Sequence, residues 1–295
     1  MLHSIVVPLD GTPTSEESLP LADQIAAATG ATVHLVRVIP SSDDPVYPHE
    51  GTGLPPKARS DDPARAQSDL ETVSERSLHI PPERIEVRVL QGEVLSALTG
   101  YASEVDADML LMGSKAPGTL GRILLGSVAD EVVRSTTLPV LVVQSGRDRA
   151  VPSWSEIVVA LDGSPAAEAI LPPVSALALA FGARITLLRV LAVQIAGGYL
   201  PASRAEEWER EMHEAERYLD RVRNRLRDRG LRTDSMVLTH PSPARAICEV
   251  AHEVGADLVA MGTHGRGTIG SAVMGSVAQR VISEGPCPVL VRRTQ

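Results

Sequence analysis

The sequence predicts an α/β protein built twice over: two repeated, doubly wound domains, each with a parallel sheet of five strands. Three observations carry that prediction. Segments of the first half recur in the second, in the same order and at a nearly constant offset. Within each half, short Val/Ile/Leu runs alternate with longer helical stretches. Those runs are almost unbroken rather than alternating, as strands covered on both faces are. The length of 295 residues also suits two domains of ordinary size.

The repeat sets the register. "SIVVPLDGT" (Ser4–Thr12) matches "EIVVALDGS" (Glu156–Ser164), and "ATVHLVRVI" (Ala31–Ile39) matches "ARITLLRVL" (Ala183–Leu191), both 152 residues on. "ADMLLMGS" (Ala107–Ser114) matches "ADLVAMGT" (Ala256–Thr263), and "LPVLVV" (Leu138–Val143) matches "CPVLVR" (Cys287–Arg292), both 149 residues on. A period of about 150 residues marks a duplicated domain, not a solenoid. The first copy is the longer between these blocks, through Pro40–Pro63. Its Pro, Ser, Gly and Asp content reads as an exposed loop or disordered insert. The polar stretch Gln144–Glu156 separates the copies, which gives domains 1–146 and 154–295.

Taken in order, the first half offers strands at Ile5–Leu9, Thr32–Val38, Glu86–Leu90, Met109–Met112 and Val140–Val143. The second offers Ile157–Leu161, Arg184–Val190, Asp234–Leu238, Leu258–Met261 and Val289–Val291. "SEESLPLADQIAAATG" reads as one helix stopped by Gly30. The charged stretch before Gly230 reads as a long helix. Its Trp208, Met212, Ala215, Leu219 and Val222 recur at three and four residues, marking one buried face. Pro243 stands near the start of a further helix, after the turn "THPSP". Strand–helix alternation implies right-handed crossovers and a doubly wound sheet.

Composition excludes several functions. A net charge of −9 argues against general binding to nucleic acid or anionic membranes, which needs a basic face. Aromatic residues at 2% are too few for a single-strand stacking platform. Cys248 and Cys287 form neither a disulfide framework nor a metal cluster. No apolar run approaches a membrane span, and "MLHSIVVPLDG" enters a strand without a signal core. The expectation is a reduced, cytoplasmic protein without membrane insertion.

The chemistry concentrates after the fourth strand of each half. "MGTHGRGTIGSAVMGS" (Met261–Ser276) holds five glycines and no acid, and it opens onto the helix "SVAQRVISEG". Ligands of such sheets bind at the carboxyl ends of the strands. Ser276 is a candidate N-cap, and the amides after it lack intrahelical partners, a natural phosphate seat. Glycines let the backbone approach an anion closely. His264 and Arg266 add donors. The P-loop pattern is absent. "GRGTIG" (Gly265–Gly270) has the letters of the dinucleotide fingerprint, but it follows the wrong strand and lacks the acid at the end of the next one.

The spacing Gly262-x2-Gly265-x9-Gly275-Ser276 resembles the ATP-binding signature of the universal stress protein family, together with "VPLDGT", "VALDGS" and "GPCPVLV". The resemblance runs over nearly the whole chain, twice. It implies a five-stranded sheet of order 3-2-1-4-5 in each domain, the adenine nucleotide alpha hydrolase-like arrangement. It also implies pairing of domains through their last strands, and ATP or a related adenine nucleotide as ligand. Carried over, Asp162 faces the ribose or phosphates and Val190 offers backbone atoms to the adenine. Gly262, Gly265, Gly275 and Ser276 hold the phosphates, and His264 and Val277 line the same loop. The first copy keeps Asp10, Val38, Gly113, Gly126 and Ser127, and Lys115 can supply charge. Its second glycine, however, is Ala116, followed by Pro117. Proline pushes its predecessor toward extended backbone, and a left-handed alanine costs about 1–2 kcal/mol. The first site is therefore expected to bind about ten times more weakly, or differently.

Acids and bases for catalysis are sparse. Asp10 and Asp162 each stand alone, and neither glycine-rich stretch carries a carboxylate for Mg²⁺ or water. His3, His34, His240 and His252 show no ligand spacing. The expected role is a nucleotide-dependent regulator or stress sensor whose state a protein partner reads, not an enzyme. The rivals are a slow ATP hydrolase or nucleotidyl transferase, and an interaction module without ligand. AMP or a cyclic nucleotide could replace ATP. The last strand of each domain could pair antiparallel, and a homodimer is expected.

Overall fold

The computed structural model describes residues 2–39, 62–114, 125–145, 152–192, 205–263 and 274–293. Lys115, Ala116, Pro117, His264, Gly265 and Arg266 lie outside the described residues, as does most of the Pro40–Pro63 insert. Every predicted strand forms, with modestly shifted ends.

Residues Leu2–Gly113 make one compact unit. It runs β1 (Ser4–Pro8), α1 (Pro13–Glu16), α2 (Leu19–Thr29), β2 (Thr32–Ile39), α3 (Pro63–Ser77), β3 (Ile85–Gln91), α4 (Val94–Glu104) and β4 (Met109–Ser114). The strands lie parallel in the order β3-β2-β1-β4. Ile5, Val6, Val7, Leu35, Leu110 and Leu111 have no exposed surface. That is the reason these runs are continuous: both faces of the sheet are covered.

Residues Ser114–Gln295 make the other unit. It holds α5 (Ser127–Ser135), β5 (Val140–Gln144), β6 (Glu156–Ala160), α6 (Leu171–Phe181), β7 (Arg184–Ala192), α7 (Ala205–Arg227), β8 (Arg232–His240), α8 (Pro243–Glu253), β9 (Leu258–Gly262), α9 (Ser276–Glu284) and β10 (Val289–Arg292). A 3₁₀ turn, Ala167–Ile170, precedes α6. The strand order is β5-β10-β9-β6-β7-β8. The second copy therefore has its own five strands in the order 3-2-1-4-5, all parallel. β5 is the last strand of the first copy, yet it belongs to this unit. It pairs antiparallel with β10, Leu141 opposite Leu290. The Gln144 side-chain amide also donates to the Ile282 carbonyl.

Four local expectations change. The helix expected over Ser15–Gly30 is two helices, because the chain turns at Ser18. The Ser18 hydroxyl binds the Ser15 carbonyl, and Pro20 supplies an N–H-free first turn to α2. Gly30 ends α2 at φ +80, as a left-handed stop. The end of the Pro40–Pro63 insert is already helical: Asp62 caps α3, accepting the Ala64 amide, with Pro63 in the first turn. In α7 the buried face is Ala215, Tyr218, Leu219, Val222 and Leu226, while Trp208 and Met212 are half-buried. Finally, Gly275, not Ser276, is the N-cap of α9, and Ser276 is its first helical residue.

An aspartate staples the amino end of each sheet. Asp108 accepts the amides of His3 and Ser4. Asp257 accepts the amides of Ser153, Ser155 and Glu156 and the hydroxyls of Ser153 and Ser155. Burial opposes the Asp257 charge, but these donors outweigh it and hold its carboxyl below the ordinary aspartate range.

Candidate functional site

Three neighbouring strands of the Ser114–Gln295 unit end together. Ala160 lies opposite Leu188 on one side and Met261 on the other. Asp162, Val190 and Gly262 follow within two residues of these positions. β6 is also where the strand order turns: β7 and β8 lie to one side, β9 and β10 to the other. The crevice at such a reversal is where open α/β sheets take ligands.

Each residue arrives there for a local reason. Leu161 donates its amide to Leu188, so Leu188 turns its polar edge toward β6. Val190, two residues on, turns the same edge that way. Pairing of β6 with β7 stops at Ala160, so no β6 residue lies opposite Val190. Asp162 is held by an Asx turn: its Oδ1 accepts the Ser164 amide at 2.8 Å and the Ser164 hydroxyl at 2.6 Å. Gly163 makes that turn possible at φ +86. Asp162 Oδ2 is buried and meets no hydrogen-bond partner.

The start of α9 is drawn to the same end. The Gly275 amide donates to the Thr263 carbonyl at 2.8 Å, and the Thr263 amide donates to Arg292. The Gly275 carbonyl accepts the Gln279 amide, the first bond of α9. The amides of Ser276, Val277 and Ala278 precede that ladder and have no intrahelical acceptor. No acidic residue stands in the first turn. The described part of the site thus offers amide donors, a helix-end partial positive charge and one carboxylate oxygen.

The first-copy residues fall in both units and are described within each. In Leu2–Gly113, Asp10 Oδ1 accepts the amide and hydroxyl of Thr12, as Asp162 does from Ser164, but Asp10 is exposed. Leu9 donates to Val36, so Val38 turns its polar edge as Val190 does. Gly113 has a packing reason of its own: a methyl there would run into the Thr14 carbonyl. In Ser114–Gln295, Gly126 caps α5 and Ser127 opens it. Asp130 in the first turn of α5 binds Arg134 at 2.7 Å.

The sequence profile of the universal stress protein family matches residues 1–144 and again 154–293. The chain belongs to the universal stress protein family. A universal stress protein of Mycobacterium tuberculosis is 26% identical over 98% of this chain and 94% of its own. One from Thermus aquaticus, 37% identical, covers 48% of this chain with 99% of its own length. The crystal structure of a universal stress protein from Archaeoglobus fulgidus shares the fold at a TM-score of 0.64. It is 18% identical, over 98% of each chain.

In this universal stress protein, sequence reasoning passed over one group of residues. Glu168 pairs with Arg225 at 2.5 Å, and the Arg189 guanidinium lies 5.5 Å over the Tyr218 ring. These line or flank a cleft beside Gly163. A signal was available: the Glu168–Arg225 pair repeats Glu16–Arg76 of the first copy at the same offsets of 152 and 149 residues. Tyr218 was hidden in a helix whose charges dominate its pattern. Among the described residues no helix is long and apolar enough to cross a membrane. None of their His, Cys, Asp and Glu side chains group as a metal site.

Proposed function

We propose that the second copy, residues 154–295, binds an adenine nucleotide, ATP in the first instance, and that occupancy is the signal this stress protein delivers to a protein partner. The observation that carries this reading is a pair of complementary unsatisfied groups at one end of the sheet. The first-turn amides of α9 suit phosphate, and Asp162 Oδ2 needs a donor such as a ribose hydroxyl. The residues present therefore fit the ligand that the glycine spacing suggests. The Val190 backbone edge suits adenine, and Gly262, Gly275, Ser276 and Val277 the phosphates. His264 and Gly265 would join them from outside the described residues. Mg²⁺ would arrive with the nucleotide.

A binding role is favoured over catalysis because Asp162 is committed through Oδ1 to its own turn, and Glu168 to Arg225. The first copy, residues 1–146, is proposed as the weaker binder, because of Ala116 and Pro117. A homodimer of this cytoplasmic protein would need a surface other than the last strands, whose edges are joined to each other as β5 and β10.

Titration calorimetry of nucleotide-free protein with Mg·ATP tests the proposal. One site per chain is expected. Two equal sites would overturn the argument from Ala116 and Pro117. Heat with AMP or cAMP but not ATP would change the ligand. Metal-dependent turnover lost in Asp162→Ala would favour the hydrolase. No heat with any nucleotide would favour an interaction module.

A further inference from the structure

A cavity of about 710 Å³ opens at the amino ends of the strands in the Leu2–Gly113 unit, and its size suits a small molecule. Ser4 and Thr32, the first residues of β1 and β2, are neighbours in register and both line it. Register neighbours share a sheet face, as do residues two apart, so Ser4, Thr32, His34 and Glu86 point the same way. That face is the one under α4, because His34 Nδ1 meets the Tyr101 hydroxyl at 3.0 Å. Ser4 is 7% exposed, and its buried Oγ has no hydrogen-bond partner. Leaving it so costs more than an ordinary hydrogen bond contributes.

The cavity is also strongly acidic. Glu83, Glu86, Glu104, Asp106 and Asp108 line it against one guanidinium, that of Arg88. Arg88 is paired with Glu86 at 3.0 Å, and Asp108 accepts the amides of His3 and Ser4. Among the described residues, Glu83, Glu104 and Asp106 pair with no cation. Burial holds the His34 pKa below its ordinary 6.5, so the ring is neutral at pH 7 and offsets none of this charge.

The second copy fills the same place from within. Glu156, Arg184 and Thr186 stand 152 residues on from Ser4, Thr32 and His34. The Glu156 carboxylate accepts the Thr186 hydroxyl at 2.6 Å, and the Arg184 guanidinium lies 3.8 Å from both Glu156 and Asp234. Asp234 holds the register position of Glu86. The second copy thus carries its own cation between carboxylates. The first keeps acids at Glu86, Glu104 and Asp108, adds Asp106 where the second has Gly255, and has only Thr32 where the guanidinium would come from.

We propose that this cavity binds a small organic cation, an amine or a guanidine, whose charge takes the place of the Arg184 guanidinium and whose N–H groups donate to Ser4 Oγ and to the unpaired carboxylates. A metal ion fits less well, since no His, Cys, Asp and Glu side chains among the described residues group as a metal site. The inference does not rest on the proposed function, which concerns the second copy and the opposite ends of the strands.

The test titrates the full chain by calorimetry with putrescine, with agmatine, with the diol analogue of putrescine and with Mg²⁺. Both amines are expected to bind and the diol is not. Tighter binding of agmatine would make guanidinium the preferred head group, and tighter binding of putrescine the ammonium; the inference stands in either case. Glu104 is exposed at the end of α4, so Glu104→Gln keeps the fold; it should weaken both amines about fivefold and reduce their salt dependence. Thr32→Arg, at a half-buried strand start, restores the internal cation and should weaken both amines about tenfold or more. Ser4→Glu combined with Thr32→Arg rebuilds the second copy's pair and should abolish binding, with an unchanged or raised urea midpoint. No heat from either amine at about 10 mM, equal binding by wild type and Thr32→Arg, or displacement of the amine by an equal concentration of Mg²⁺ would each overturn the inference.

Discussion

Arg37 and Arg189 stand at the same place on the second strand of the two copies, 152 residues apart, and they keep different company. Arg37 faces the half-exposed carboxylate of Asp69 and lies so close to Gly11 that a methyl there would meet its guanidinium at 2.8 Å. Arg189 is 4% exposed and sits against the ring of Tyr218. One change of residue on the facing helix replaces an ion pair by a cation–π contact and brings a buried hydroxyl with it. The surrounding frame did not change. Each copy keeps the Glu–Arg pair between the first-strand turn and that helix, and each keeps its aspartate staple. Duplication preserved what holds the sheet and altered the company of the second-strand arginine.

The staples give the largest expected difference. Asp257→Ala strands three backbone amides, and should lower unfolding free energy by about 3 kcal/mol. Asp108→Ala strands two amides rather than three, with no hydroxyl donors beside them, and should cost less. Urea titrations of both variants decide it. Equal losses would mean that the two ends are held alike.

Ligand binding comes next. Asp162→Ala should weaken ATP about twentyfold in calorimetry, because it removes the buried Oδ2 acceptor. The exposed Asp10 replaced by Ala should change it less than about twofold. A larger effect at Asp10 would make the first copy the working site.

A smaller contrast concerns acid. His34 is buried against the Tyr101 hydroxyl at 3.0 Å, and the second copy has Thr186 in its place. Burial pushes the His34 pKa below its ordinary 6.5, with Glu86 raising it and Arg88 lowering it. The folded state therefore resists protonation. Its contribution is intact above pH 6.5 and is lost as pH falls from there toward the lower folded value. His34→Gln should flatten denaturant midpoints over that window. An unchanged slope would place the acid response elsewhere.

The smallest effect lies in a helix turn. Gln279 of α9 stands where α5 has Asp130, 149 residues earlier. Gln279→Asp should stabilise the protein by about 0.5 kcal/mol through the helix dipole, yet weaken ATP about threefold by facing its phosphates. Both changes having the same sign would remove α9 from the phosphate seat.

Much of this was legible in the letters. Parallel strands buried on both faces must be continuous apolar runs, so their positions, their number and the duplication could be read directly. The Asp162 turn and the approximate start of α9 were legible because turns and helix starts demand particular residues within a few positions. Ser18 breaking a helix in two was not, since Ser15, Ser18 and Pro20 act together there. Nor was the cap at Gly275 rather than Ser276, which depends on backbone angles.

The sequence by itself determined the repeat, the class of fold and the strand-end location of a phosphate-suited turn, because each follows from local periodicity or from a residue's own conformational limits. Only the tertiary structure decided that β5 joins β10, that Oδ2 of Asp162 is left without a donor, and that the Tyr218 ring lies under the Arg189 guanidinium. Those facts depend on residues far apart in the chain meeting in space. No local pattern encodes whether a polar atom, once buried, has found a partner.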